Sequence, residues 1–139
     1  MINYDNTLGQ IFVNLPVKDL QASIAFFTKL GYEFNPKFTD ENATQMIIGK
    51  NIFAMLLKED FFQTFHKNEL ADTTKVREVL ITISLKRREA VDELVDLALS
   101  IGAETAAEPQ EYEYMYSRSF LDLDKHLWEI LYFNEDAFE

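Results

Sequence analysis

The residue most able to do chemistry is Glu129, in "SFLDLDKHLWEILYF" (119–133). Its alternation places Leu127, Glu129 and Leu131 on one face of a strand and Trp128, Ile130 and Tyr132 on the other. A carboxylate among hydrocarbon neighbours is costly unless paired. Four readings are open: a metal ligand, an anchor or general base for a bound molecule, a structural ion pair, or a half-exposed side chain facing water at the edge of a sheet. Arg118, one hairpin strand away, is the expected partner. In "EYEYMYSRSF" (111–120), Tyr112, Tyr114, Tyr116 and Arg118 recur with period 2 and share a face if the segment is extended. Such a stripe can line a pocket for a planar or anionic ligand, form a dimer interface, or pack within a sheet. The two histidines add little, since His66 lies in an inter-repeat loop and His126 in a hairpin turn expected to face solvent.

The elements that must position these groups come in two copies. "IFVNLPVKDLQASIAFFTKLGYEF" (11–34) and "VLITISLKRREAVDELVDLALSIGAET" (79–105) both read strand, helix, glycine. Asp19 is the expected N-cap of a helix from Leu20 whose apolar face carries Leu20, Ile24, Phe27 and Leu30, with Gly31 at its end. In the second copy Val91, Leu94, Val95 and Ala98 form the stripe and Gly102 ends the helix. Extended segments are expected at 33–39, 45–48, 51–57, 104–106, 115–121 and 127–133. Between the copies, Phe61, Phe62 and Phe65 are expected to turn inward, as core cover or as a flap. The fold class implied is α+β: two βαβββ modules forming a curved mixed sheet around a cleft, with helices outside. Residues 1–139 make one domain, with module 1 at about 8–60, a linker at 61–76 and module 2 at about 77–135.

Composition narrows the function. The 139 residues are 47% hydrophobic and include twelve Phe, enough for a packed interior. A net charge of −11 disfavours nucleic acid and anionic membranes as partners and suits a cationic ligand. With no cysteine, disulfides and thiol chemistry are excluded. No signal-peptide pattern or membrane-length apolar run occurs, so a cytoplasmic protein is expected.

Three stretches carry a family resemblance: "NLPVKDLQASIAFFTKLGYEF", "IGKNIFAMLL" and "YSRSFLDLDKHLWEILYF". They resemble the vicinal oxygen chelate superfamily, which includes glyoxalase, bleomycin-resistance and fosfomycin-resistance proteins and extradiol dioxygenases. Within it they are most similar to a predicted lactoylglutathione lyase-like subgroup. One departure is local: where the family usually has Asp-Pro-Asp-Gly, this chain has Asp122-Leu123-Asp124-Lys125, so Lys125 must take a conformation that glycine adopts cheaply.

The resemblance implies four metal-ligand slots, one on the first and one on the last strand of each module. Carried over, they fall on Phe12 (with Asn14 as same-face neighbour), Ala54, Ile81 and Glu129. Only Glu129 has a donor of the usual kind, so no metal or other cofactor is expected. The expected function is binding of a small molecule in a metal-free aromatic cleft lined by Phe12, Asn14, Phe53, Met55, Tyr114, Tyr116, Arg118 and Glu129, in a homodimer. The alternative implied by the resemblance is a metal-dependent, lactoylglutathione lyase-like lyase or isomerase, or a dioxygenase, with Glu129 as catalytic base. A third possibility is a degenerate member whose cleft is filled by its own side chains.

Overall fold

A computed structural model describes residues 9–134 and 136. They fall into two compact units, one ending at Leu70 and the other beginning at Ala71.

The first unit begins with strand β1 (Ile11–Val17) and helix α1 (Leu20–Lys29). Asp19 caps the helix, its side chain accepting from the Ala22 amide at 3.0 Å. Helix α1 buries Leu20, Ser23, Phe26 and Phe27, whose two rings meet edge to face at 4.9 Å. Phe26 thus joins the expected apolar face, while Ile24 and Leu30 are only half-buried. Gly31 then takes a φ of +100°, which ends the helix.

Strand β2 (Glu33–Asn35) is shorter than the extended segment expected at 33–39. Pro36 turns the chain into a 3-10 turn (Pro36–Phe38), capped by Asn35 Oδ1 accepting from the Lys37 amide at 3.0 Å. Strands β3 (Ala43–Gly49) and β4 (Ile52–Lys58) follow, then the short helix α2 (Glu59–Gln63). Phe65, expected to point inward, is 67% exposed; its ring meets Phe61 edge to face at 5.2 Å.

The four strands order as β1-β4-β3-β2, with β1 and β4 parallel and the other pairs antiparallel. Leu15, Val17, Met46, Ala54 and Leu56 are all but inaccessible.

The second unit repeats the scheme. Strand β5 (Ile81–Leu85) and helix α3 (Arg88–Ser100) are followed by β6 (Glu104–Thr105), β7 (Gln110–Glu111), β8 (Met115–Leu121) and β9 (Leu127–Phe133). The order is β5-β9-β8-β6, with β7 also on β8. Again the first strand pairs in parallel with the last. Val91, Val95 and Ala98 of α3 are buried as expected, as are Phe120, Trp128 and Ile130 on the strands. Leu94 is half-buried. At Gly102 φ is +123°, ending the helix where the sequence expects it.

The β8–β9 hairpin is locked by a buried acid. Asp122 Oδ1 accepts from the amides of Asp124 (2.9 Å) and His126 (3.0 Å), and Oδ2 accepts from Trp128 Nε1 at 2.8 Å. Its backbone amide donates to the His126 carbonyl at 3.0 Å. His126 is buried, at 9% exposure, where the turn's sequence predicts a solvent-facing side chain. Lys125 takes a φ of 65°, the left-handed conformation that its replacement of glycine demands. The turn is held from outside: the Lys125 ammonium pairs with Glu104 and its carbonyl accepts from Arg77 at 2.8 Å.

Candidate functional site

Cross-strand neighbours point to the same side of a sheet. In the first unit, register therefore gathers the side chains facing away from the α1-side core. Asn14 lies opposite Met55, Met55 opposite Gln45, and Gln45 opposite Asn35, one row across all four strands. The neighbouring row begins with Phe12 opposite Phe53. Those two rings stack at 5.1 Å with planes 22° apart.

A pocket of about 330 Å³ opens over these rows. Phe12, Phe53, Phe38 and Met55 form its apolar walls. Gln10, Asn14, Asn35 and Gln45 supply amides, and none of the described residues lining it is charged. Gln45 is 4% exposed, and its Oε1 is buried without a hydrogen-bond partner among the described residues. Four of the expected binding residues thus meet here: Phe12, Asn14, Phe53 and Met55. Gln45 is not among the expected residues, although a long polar side chain in the largely apolar strand "ATQMIIG" is the kind of signal that singles out Glu129.

The remaining expected residues lie in the second unit and do not form one group. Glu129 shares its face with Thr82 and Ser119, its neighbours in register on β5 and β8. The Thr82 hydroxyl donates to Glu129 Oε1 at 3.1 Å. Arg118 is opposite Ile130 and so points to the α3 side. Its guanidinium reaches Asp92 at 2.9 Å and Asp96 at 2.8 Å, which corrects the expected Arg118–Glu129 pair. The physical reason is parity: Ser119, not Arg118, stands across from Glu129.

Tyr116 follows Arg118 to that side, donating its hydroxyl to Asp92 at 2.6 Å beneath the Arg88 guanidinium, 3.9 Å above its ring. The Tyr116 hydrogen bond, aided by Arg118, lowers the Asp92 carboxyl below the ordinary range. Burial, with the hydrogen bond to Asp92, raises the Tyr116 phenol.

Tyr112 and Tyr114 leave the stripe altogether. Tyr112 and Met115 exchange backbone hydrogen bonds around a tight turn, so the period breaks there. The two rings stack at 6.0 Å and are 53% and 40% exposed. His66 Nδ1 accepts from the Asn68 amide at 3.1 Å.

The register also corrects two of the slots inferred for a metal. Ala54 pairs with Val13 and is wholly inaccessible, so the residues of β4 on the open face are Phe53 and Met55. Ile81 pairs with the buried Trp128, so the β5 residue on the face of Glu129 is Thr82. Phe, Asn, Met and Thr at these positions are poor donors for a hard or borderline divalent ion. Among the described residues no three His, Asp or Glu side chains come together as a metal would need. The residues present do not fit the metal that the fold family implies.

Residues 10–49 match the family model described as bleomycin resistance protein-like N-terminal. The hypothetical protein SA1046 from S. aureus is 30% identical, superimposes with a TM-score of 0.76, and is matched over 88% of this chain and 92% of its own. Residues 10–49 thus carry a bleomycin resistance protein-like match, and the chain shares the fold of SA1046 over most of both lengths. Its fold is shared at lower identity. A glyoxalase/bleomycin resistance protein/dioxygenase family enzyme from Burkholderia phytofirmans PsJN is 21% identical, with a TM-score of 0.73 over 88% of this chain and 96% of that one. The fosfomycin resistance protein FosX from Mesorhizobium loti is 14% identical, with a TM-score of 0.66 over 95% and 98%. Among curated proteins no sequence matches. No helix among the described residues is long and apolar enough to cross a membrane.

Proposed function

We propose that this chain is a glyoxalase/bleomycin resistance-like protein that binds a small organic molecule without a metal, acting by capture rather than by glyoxalase-type chemistry. One observation carries the reading: the Phe12–Phe53 stack forms the wall of a pocket that also holds four side-chain amides. Aromatic faces with a few placed polar groups are the usual make-up of a small-molecule site. The likeness to the lactoylglutathione lyase-like subgroup is then one of fold, since that reaction needs a metal and the donor set is poor. A cytoplasmic homodimer is the form in which we expect it to act.

The test uses Phe12→Ala. Phe12 is 44% exposed, so its loss removes the stacking surface with little effect on the core. A thermal-shift screen of planar aromatic compounds should give hits with the natural protein that vanish in Phe12→Ala. A compound at a hundred times its dissociation constant adds about 2.7 kcal/mol of stability. Hits that survive in Phe12→Ala, or stoichiometric Ni, Zn, Mn or Fe in protein purified without chelator, would overturn the reading.

A further inference from the structure

Gln45 makes the pocket more than an aromatic cleft. It sits on β3, between Thr44 and Met46, both fully buried. Gln45 itself is only 4% exposed, yet its buried Oε1 has no hydrogen-bond partner among the described residues. A buried carbonyl without a donor is destabilising and seldom kept where an apolar residue would pack as well. Gln45 lines the pocket, and the terminal torsion of a glutamine is soft, so its oxygen can turn to meet a donor there. The amides of Asn14 and Asn35 lie in the same row. No charged side chain stands among the described lining residues to offset a ligand charge. A charged group brought into such a place leaves water without an opposite charge to receive it.

Resting on the binding role proposed above, we infer that the pocket selects an uncharged planar molecule carrying an N–H or O–H donor on its edge, with Gln45 Oε1 as the acceptor that reads it. The face stacks on Phe12 and Phe53, and the donor edge meets the amide row. The net charge of −11 would by itself suit a cationic ligand. Net charge describes the whole surface, whereas the described lining residues are neutral.

The test compares three probes of nearly the same shape: 2-quinolinone, 1-methyl-2-quinolinone and the 1-methylquinolinium cation. Each is titrated against the full chain by calorimetry, with the Met55 methyl signal followed by NMR to place the binding. 2-Quinolinone should shift Met55 and bind at least about tenfold more tightly than its N-methyl analogue, as one hydrogen bond to a buried acceptor requires. The cation should bind more weakly than either. In Gln45→Leu the two neutral probes should bind within about twofold of each other. If the natural protein binds both neutral probes alike, or the cation best, the inference is wrong while the binding role stands. A preference that persists in Gln45→Leu is steric and also refutes it. If no probe moves Met55, both the inference and the binding role proposed for this pocket fail.

Discussion

Replacing Asp122 tests whether the hairpin acid holds the second unit together. In Asp122→Ala, the His126 amide and Trp128 Nε1, both buried, lose the acceptors they have at 3.0 and 2.8 Å. The Asp124 amide, only partly buried, can turn to water. Two buried donors at about 1–3 kcal/mol each give a loss of about 2–6 kcal/mol. Asp122→Asn should cost less, about 1–3 kcal/mol, because its oxygen can still serve the two amides while its NH₂ confronts the indole N–H. The indole contribution is isolated by a cycle with Trp128→Phe, which removes that donor and whose packing cost cancels between the arms. Urea unfolding followed by far-ultraviolet circular dichroism suits the cycle, since the chain has a single Trp. The expected coupling between Asp122→Ala and Trp128→Phe is about 1–3 kcal/mol. A coupling under about 0.5 kcal/mol would refute the claim that the acid is there for the indole.

Other outcomes follow from single contacts. Asp19→Ala should destabilise by about 1 kcal/mol in urea melts, through loss of the α1 cap. Gly102→Ala should cost more than about 1 kcal/mol, because φ there is +123° and the new Cβ would lie 3.1 Å from Leu123 Cδ2. The Asp92 carboxyl is lowered in the folded state, so it contributes stability above the ordinary aspartate value that is lost as pH falls through its folded value. The stability difference between natural protein and Asp92→Asn in urea melts should hence be flat near neutrality and shrink on acidification below about pH 4; with the Asp92 side chain 46% exposed it should not exceed about 1 kcal/mol. Phe53→Ala, at a site 8% exposed, should cost about 3–5 kcal/mol in urea melts, several times the cost of Phe12→Ala.

Local signals read well from sequence because they act through neighbouring residues. Asp19 as a cap, Gly31 and Gly102 as helix ends, and the strands Met115–Leu121 and Leu127–Phe133 all depend on a few adjacent side chains. So does the unusual backbone at Lys125. What could not be read was register. Whether Arg118 or Ser119 faces Glu129 turns on a single step in the β8–β9 pairing, and each step reverses the face. The same parity misplaced the slots at Ala54 and Ile81, and it hid the row that joins Gln45 to Asn14. His126 differs for another reason: its backbone amide is tied to the buried Asp122, whose three-way acceptance is invisible in the turn's composition. The Tyr stripe failed because period 2 holds only while the chain stays extended, and it turns between Tyr112 and Met115.

The parallel pairing of the first and last strands in each unit carries a consequence for how the chain is made. Ile11 meets Ile52, and Ile81 meets Trp128, so neither sheet can close until a strand some forty to fifty residues downstream exists. Synthesis from the N-terminus therefore lets the first sheet finish while the second is still being translated, and makes the β5–β9 closure the last long-range step. A ribosome stalled within residues 127–133 would hold a nascent chain with one completed half and one open seam.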